Sequence, residues 1–173
     1  MLDPKGIITI DGPSGAGKST ISRGLAAKLH FTYLDTGAMY RAVGLALTRQ
    51  GIDLADTPAL TKCLAAIELT LTPNGDDDVR VMLGDEDVSQ AIRTPEMGMV
   101  ASRVSANPLV REKLTALQRQ LGEKGGIVAE GRDTDLDELG ARIFHRFRTS
   151  NARCGKRSAC RSRYAEKTAP CGF

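Results

Sequence analysis

The sequence predicts an α/β fold with a doubly wound parallel sheet. Residues 7–10 (IITI) form a short β-branched run of the kind found in buried parallel strands. A glycine-rich turn follows, and apolar residues then recur at helical spacing from Lys18 onward. Later in the chain, a predicted helix that begins at Asn107 precedes a second apolar run at residues 127–129 (IVA). Strand and helix therefore alternate as in a doubly wound sheet.

The middle of the chain changes from helical to strand periodicity. Further helices are predicted at residues 38–50 and 58–66. Apolar residues then alternate over residues 67–71 and again over 79–83, around a Pro-Asn-Gly-Asp turn signal. This pattern predicts a β-hairpin with one apolar face, and hence a small β insertion at about residues 67–91.

Residues 12–19 (GPSGAGKS) satisfy the phosphate-loop pattern G-x-x-x-x-G-K-[ST] between a predicted strand and a predicted helix. Glycines let backbone N–H groups curl around phosphate oxygens, and the helix start adds its positive dipole end. We expect Lys18 to neutralise the β- and γ-phosphates of ATP and the Ser19 hydroxyl to ligate Mg²⁺. The alternative is a turn that only joins strand to helix. The candidate ATP-binding residues are Gly12, Pro13, Ser14, Gly15, Ala16, Gly17, Lys18, Ser19 and Thr20.

A phosphate loop does not by itself identify the reaction, because ATPases, GTPases and small-molecule kinases share it. Three further segments narrow the choice: residues 34–41 (LDTGAMYR), 92–96 (IRTPE) and 129–133 (AEGRD). In that order and at those intervals, the sequence resembles the bacterial cytidylate kinases, a family of P-loop nucleoside monophosphate kinases. The resemblance includes residues 11–18 and extends from residue 6 to residue 134.

The resemblance places Arg41 and Arg132 on the phosphate of the acceptor nucleotide. A planar guanidinium suits bidentate contact with a phosphate dianion. With Lys18, these arginines form the expected catalytic set, which acts by positioning and charge neutralisation. The alternative for either arginine is a surface salt bridge.

Cytosine offers an amino donor beside ring-nitrogen and carbonyl acceptors. By resemblance, Asp133 accepts from the amino group, while Arg111 and Ser102 address the other two positions. The resemblance also places Tyr40 along the sugar and base and makes Thr36 a substrate-binding residue. Alternatives remain open for three of these residues. Ser102 and Arg111 could instead form an exposed polar helix face, and Tyr40 could be a half-buried aromatic residue of the core.

The resemblance implies transfer of the γ-phosphoryl group of ATP to CMP or dCMP, with Mg²⁺, by a monomer. The kinase core would comprise residues 1–35 and 105–141, and the nucleoside-monophosphate-binding insertion residues 36–104. Residues 142–173 would form a basic, atypical tail in place of the lid and the C-terminal core. With no apolar run long enough to span a membrane and no secretory signal pattern, we expect a cytoplasmic protein.

After Thr134 we find no family match until about Ser162, and a brief likeness returns at residues 163–168 (RYAEKT). The intervening stretch is rich in Arg, Ser and Cys. We hypothesise frame errors over residues 135–162, which resequencing of the source DNA tests. The chain ends before the remaining lid arginines of the family.

This ending leaves three alternatives to an active cytidylate kinase. One is an incomplete nucleotide-binding fragment without turnover, and another is a P-loop kinase for a different small acceptor, such as UMP or shikimate. The third takes the basic residues of the tail as a nucleic-acid patch. Because the tail contains no recognised nucleic-acid module, we do not expect a nucleic-acid partner.

Overall fold

The computed structural model describes residues 6–11, 17–74, 78–131 and 144–148. Its elements are β1 (Ile7–Asp11), α1 (Lys18–Leu29), β2 (Thr32–Asp35), α2 (Thr36–Arg49), α3 (Thr57–Ala66), β3 (Leu69–Asn74), β4 (Asp78–Leu83), β5 (Glu86–Asp87), α4 (Pro95–Val104), α5 (Pro108–Gly122), β6 (Ile127–Gly131) and β7 (Phe144–Arg148). A 3₁₀ turn, Ala91–Arg93, precedes α4.

Four of the described strands form the main sheet, in the order β2, β6, β1, β7, and all three pairings are parallel. Strand β1 lies between β6 and β7, and its register with β6 pairs Ile7 with Ile127. The predicted α/β class with a parallel sheet is confirmed.

The sheet is buried on both faces. Successive residues of a strand point to opposite sides, and in β1 the residues on both sides are buried. Ile8 and Ile10 pack in one apolar cluster with Ala26 of α1. Ile7 belongs to a second cluster, to which helices α2, α3 and α5 contribute most of the apolar side chains. Burial on both sides explains why β1 is apolar at consecutive positions rather than at alternate ones.

The helices begin where side chains cap them. Backbone N–H groups in the first turns of α2, α3, α4 and α5 donate to Asp35, Asp56, Thr94 and Asn107, respectively. Helix α2 starts two residues before the predicted 38–50, because Asp35 is its cap. The predicted helix at 58–66 agrees with α3 to within one residue.

The predicted β-hairpin is confirmed as the antiparallel pair β3 and β4, whose register pairs Leu69 with Leu83. The turn residues 75–77 lie outside the described residues. A third strand, β5, which the sequence did not predict, pairs with β4. Arg49 of α2 makes two hydrogen bonds, of 2.6 and 2.9 Å, to the carboxylate of Glu86 in β5. This ion pair joins the β insertion to α2, which precedes α3 in the chain.

Besides β5, three longer described elements were not predicted. Strand β2 has only four residues, and its end overlaps the 34–41 motif, for which no secondary structure before residue 38 was predicted. Helix α4 starts within the 92–96 motif, where Thr94 caps it and Pro95 occupies its first position. Strand β7 pairs with β1 along its whole length, within the segment expected to be an atypical tail.

The division into a kinase core, an insertion and a tail remains a prediction. For the tail, residues 142–143 and 149–173 lie outside the described residues. Within the part of the chain that the structure describes, no helix is both long enough and apolar enough to cross a membrane.

Gly44 allows α2 and α4 to approach closely, since a Cβ at this position would lie 2.6 Å from Cγ1 of Val100. We expect Gly44→Ala to lower the free energy of unfolding by about 1–3 kcal/mol, because the overpacking outweighs alanine's helix propensity. Gly24→Ala in α1 is the matched control, because its Cβ would meet no atom within 4 Å. The control should raise stability by up to about 1 kcal/mol. Equal effects of the two substitutions in urea unfolding would contradict this explanation.

Candidate active site

The start of α1 lies at the C-terminal edge of the main sheet, just after β1. Gly17 precedes the helix with φ of 77°, a left-handed conformation that glycine adopts without strain. Lys18 is buried, with 8% of its surface exposed, and Ser19 is half-buried. Thr20 is exposed. The other predicted loop residues, Gly12, Pro13, Ser14, Gly15 and Ala16, lie outside the described residues.

A buried carboxylate, that of Glu130 in β6, joins three elements at this edge. Its Oε1 accepts a hydrogen bond of 2.8 Å from Ser19 Oγ, and its Oε2 accepts one of 2.6 Å from the hydroxyl of Tyr33 in β2. The backbone carbonyl of Glu130 accepts from Thr36 Oγ1 at 2.8 Å. The starts of α1 and α2 and the end of β2 are thereby fixed to one residue.

Arg41 of α2 is held by the carboxylate that caps its own helix. Asp35 Oδ1 accepts from Ala38 N at 2.8 Å, and Asp35 Oδ2 forms an ion pair of 3.0 Å with Arg41 Nη2. Gly37 lies between them, and a Cβ there would come within 3.1 Å of Asp35 Oδ1 and 3.2 Å of Arg41 Nη1. The glycine therefore leaves room for the arginine to fold back onto its cap.

These residues face a cavity of about 310 Å³ at the C-terminal edge of the sheet. It is lined by Ser19, Arg23, Asp35, Ala38, Arg41, Val79, Val81, Ser89, Ile92, Arg93, Thr94 and Gly98. The lining contains three arginines and one aspartate, so an anion is the ligand that its charge favours. Strand β4 supplies an apolar wall through its two valines.

The Nε atom of Arg41 is buried and has no hydrogen-bond partner among the described residues. A buried guanidinium N–H normally has an acceptor, because leaving it unpaired costs about 1–3 kcal/mol, or more for a charged group. An oxygen of a bound anion in the cavity would supply this acceptor.

The remaining predicted site residues lie in different environments. Thr36 is buried, and Tyr40 is partly buried against the larger apolar cluster. Ser102 and Arg111 are both exposed and do not line the cavity. Arg132 and Asp133 lie outside the described residues. The substrate roles of all six remain predictions.

Five residues that shape this site were not predicted from the sequence: Tyr33, Asp35, Glu130, Arg23 and Arg93. Asp35, Glu130 and Arg93 lie inside motifs used for the resemblance, but no role was given to them. Arg23 follows Ser19 by one helical turn, a spacing that places both on one face of α1. Its guanidinium carbon lies 5.5 Å from the centre of the Tyr33 ring.

Comparison with known proteins identifies the family. Residues 8–145 match the family model described as cytidylate kinase. The chain belongs to the cytidylate kinase family. The match passes residue 134, so the expectation that the likeness to this family stops there was wrong. Of the stretch beyond residue 134, residues 144–145 belong to β7 and the remainder lies outside the described residues.

Curated members of the cytidylate kinase family align with most of this chain. The cytidylate kinase of Syntrophotalea carbinolica is 53% identical over 127 residues, which cover 73% of this chain and 54% of the relative. That of Pelotomaculum thermopropionicum is 49% identical, with 73% and 56% covered. The bifunctional pantoate ligase/cytidylate kinase of Synechococcus elongatus is 47% identical over 80% of this chain and 26% of its own length. The chain spans about half the length of the first two relatives.

Two oxygen donors near the start of α1 suit a magnesium ion. Mg²⁺ prefers oxygen ligands and is commonly held by one or two carboxylates together with substrate phosphates. The Ser19 hydroxyl and the Glu130 carboxylate lie 2.8 Å apart at the place where those phosphates would bind. The described residues contain no group of three or more His, Cys, Asp or Glu able to hold a metal. The donor set therefore fits a cation that arrives with a nucleotide.

Asp35→Ala tests the double role of this carboxylate in capping α2 and holding Arg41. We expect it to lower the free energy of unfolding by about 2–3 kcal/mol, since the cap and a charge-assisted hydrogen bond are both lost. Asp56→Ala is the control, because Asp56 caps α3 through the equivalent bond to Ala59 N. The control should cost about 1 kcal/mol. Equal losses in urea unfolding would show that the Arg41 contact adds nothing.

Proposed function

We propose that this chain transfers the γ-phosphoryl group of ATP to CMP or dCMP, giving CDP or dCDP and ADP. The main observation in support is the arginine-lined cavity that adjoins Ser19 at the start of α1. Ser19, which belongs to the predicted donor loop, thus lies beside a cavity whose charge favours an anion, as direct transfer between two nucleotides would require. Membership of the cytidylate kinase family supports the choice of acceptor.

The donor side of the site is the predicted phosphate loop, residues 12–20. Lys18 would place its ammonium group against the β- and γ-phosphates of ATP. Backbone N–H groups at the start of α1 would meet the same phosphates at the positive end of the helix dipole. These groups neutralise charge without moving, which lowers the barrier to transfer.

The acceptor side is the cavity around Arg41, with Arg132 as its predicted second cation. The phosphate of CMP is already ionised, so it needs no general base before it attacks. Arg41 would offer its buried Nε to a phosphate oxygen while Asp35 holds its Nη2. Asp133, Arg111 and Ser102 would then distinguish cytosine, with Tyr40 and Thr36 along the remainder of the nucleotide.

We propose Ser19 as a direct ligand of Mg²⁺, with Glu130 beside it. Magnesium bound here would supply positive charge to the β- and γ-phosphates of ATP. Ser19 donates its proton to Glu130, so the lone pairs of its oxygen remain available to a cation. We further propose a cytoplasmic monomer acting in pyrimidine nucleotide metabolism.

The direct test is ADP release from Mg²⁺ and ATP with CMP, dCMP, UMP and AMP offered side by side. We expect turnover only with CMP and dCMP, because of the three bases offered only cytosine combines an amino donor for Asp133 with ring-nitrogen and carbonyl acceptors for Arg111 and Ser102. Lys18→Ala should abolish it. Equal turnover with UMP would contradict the assignment of the acceptor. Binding of CMP without turnover would instead identify a nucleotide-binding protein.

Arg41→Lys tests the acceptor phosphate site. Lysine keeps the charge but cannot offer the planar pair of N–H donors, so we expect kcat/KM for CMP to fall about tenfold or more. Arg49→Lys, in the same helix but on an exposed ion pair with Glu86, is the matched control and should leave kcat/KM unchanged. Equal behaviour of the two variants would remove Arg41 from the site.

A further inference from the structure

Tyr33 is a buried residue beside the proposed metal ligand that the transfer reaction itself does not use. Only 6% of its surface is exposed, and its ring packs in the apolar cluster that contains Ile8, Ile10 and Val128. Its hydroxyl reaches out of that cluster to donate a hydrogen bond of 2.6 Å to Glu130 Oε2. The tyrosine is thus linked to Ser19 through a single carboxylate, whose other oxygen accepts from Ser19 Oγ at 2.8 Å.

This arrangement determines which atoms around Ser19 can accept a cation. A hydroxyl has one proton and two lone pairs, and the proton of Ser19 is directed at Glu130 Oε1. The lone pairs therefore point elsewhere. A carboxylate bonded through one oxygen only would be free to rotate about its last torsion, which is soft. The Tyr33 hydroxyl occupies the second oxygen and prevents that rotation.

Tyr33 is itself held in place and remains a donor. Burial, together with the nearby charges of Asp35 and Glu130, raises the pKa of its phenol well above the usual range. The guanidinium of Arg23, whose central carbon lies 5.5 Å from the ring centre, also forms a side-chain hydrogen bond with Tyr33. Arg23 and Ser19 both line the cavity, so Tyr33 is linked to two residues of its lining.

We propose that Tyr33 is a positioning residue for the divalent cation, acting through Glu130 to hold the Ser19 hydroxyl in its ligating orientation. The proposal rests on the proposed function, since it assumes that the cation binds at Ser19 with ATP. The ring of Tyr33 stabilises the fold, whereas its hydroxyl serves the metal. Removing the hydroxyl alone therefore separates the two roles.

The test is Tyr33→Phe, which keeps the ring and removes the hydroxyl, and with it the hydrogen bonds to Glu130 and Arg23. Binding of Mn²⁺ to the ATP-bound protein is measured by electron paramagnetic resonance, with no CMP present. We expect Mn²⁺ affinity to fall about tenfold, the size seen when the partner of a metal ligand is lost. Binding of ATP in the presence of EDTA should be unchanged. A fall in both affinities would indicate a general loss of structure and overturn the proposal.

A double-mutant cycle with Ser19→Ala tests the route of the effect. If Tyr33 acts through Glu130 on the Ser19 hydroxyl, Tyr33→Phe should cause no further loss of Mn²⁺ affinity once that hydroxyl is absent. Losses that simply add would show that Tyr33 acts by another route. Because this readout needs no acceptor, failure of CMP turnover leaves it intact. Conversely, normal turnover with an unaltered Mg²⁺ dependence in Tyr33→Phe would refute only the positioning role.

A measurement on the unmodified chain tests the proposal even if the Tyr33→Phe variant folds poorly. The chain contains no tryptophan and three tyrosines, so its intrinsic fluorescence comes mainly from tyrosine. Addition of Mg²⁺ to the ATP-bound protein should change that fluorescence, because the carboxylate bonded to the Tyr33 hydroxyl lies beside the arriving charge. An unchanged emission at saturating Mg²⁺ would contradict the proposal.

Discussion

The hydrogen-bonded carboxylate of Glu130 is the interaction on which the candidate site depends. Burying a carboxylate is costly unless hydrogen bonds replace its water. Here two hydroxyl groups supply those bonds, one from α1 and one from β2, and the backbone of the same residue accepts a third from α2. Because the buried carboxylate needs these hydrogen bonds, α1, β2 and α2 are all held against Glu130. The start of α1, strand β2 and the start of α2 cannot shift independently while these hydrogen bonds to Glu130 remain.

The cavity beside this point carries more positive than negative charge. Three arginines around one small volume repel one another, and this repulsion destabilises the site while no anion is present. Asp35 offsets part of it through its ion pair with Arg41. A bound phosphate would add to that compensation. The charge of the lining therefore favours an anion as the ligand of this cavity.

Much of the fold was predictable from periodicity, and the exceptions have physical reasons. Helix α5 and the β3–β4 hairpin carry regular apolar patterns, so their positions followed from the sequence. Strand β2 is too short to show a pattern, and β5 has two residues. The 142–173 segment shows no alternation that marks a strand, and β7 became visible only through its pairing with β1.

The site was less predictable than the fold, because its contacts join distant parts of the chain. Lys18, Ser19 and Arg41 could be identified, since each occupies a fixed place in a local motif. Glu130 and Tyr33 could not be paired in advance, because they are 97 positions apart and only the packing of β2 against β6 brings them together. Sequence reasoning finds functional groups that a motif places, but not those that strand order places.

The long separation in sequence between residues that meet at the site affects the order of folding. Ser19 and Glu130 are 111 positions apart, and β1 must align with β6 before they can meet. Contacts between remote positions form slowly, because the intervening loop has to be closed first. The β3–β4 hairpin, by contrast, closes within a few residues and can form early. The contact between Ser19 and Glu130 should therefore form only when the central sheet is complete, so the proposed nucleotide site is assembled in the last stage of folding.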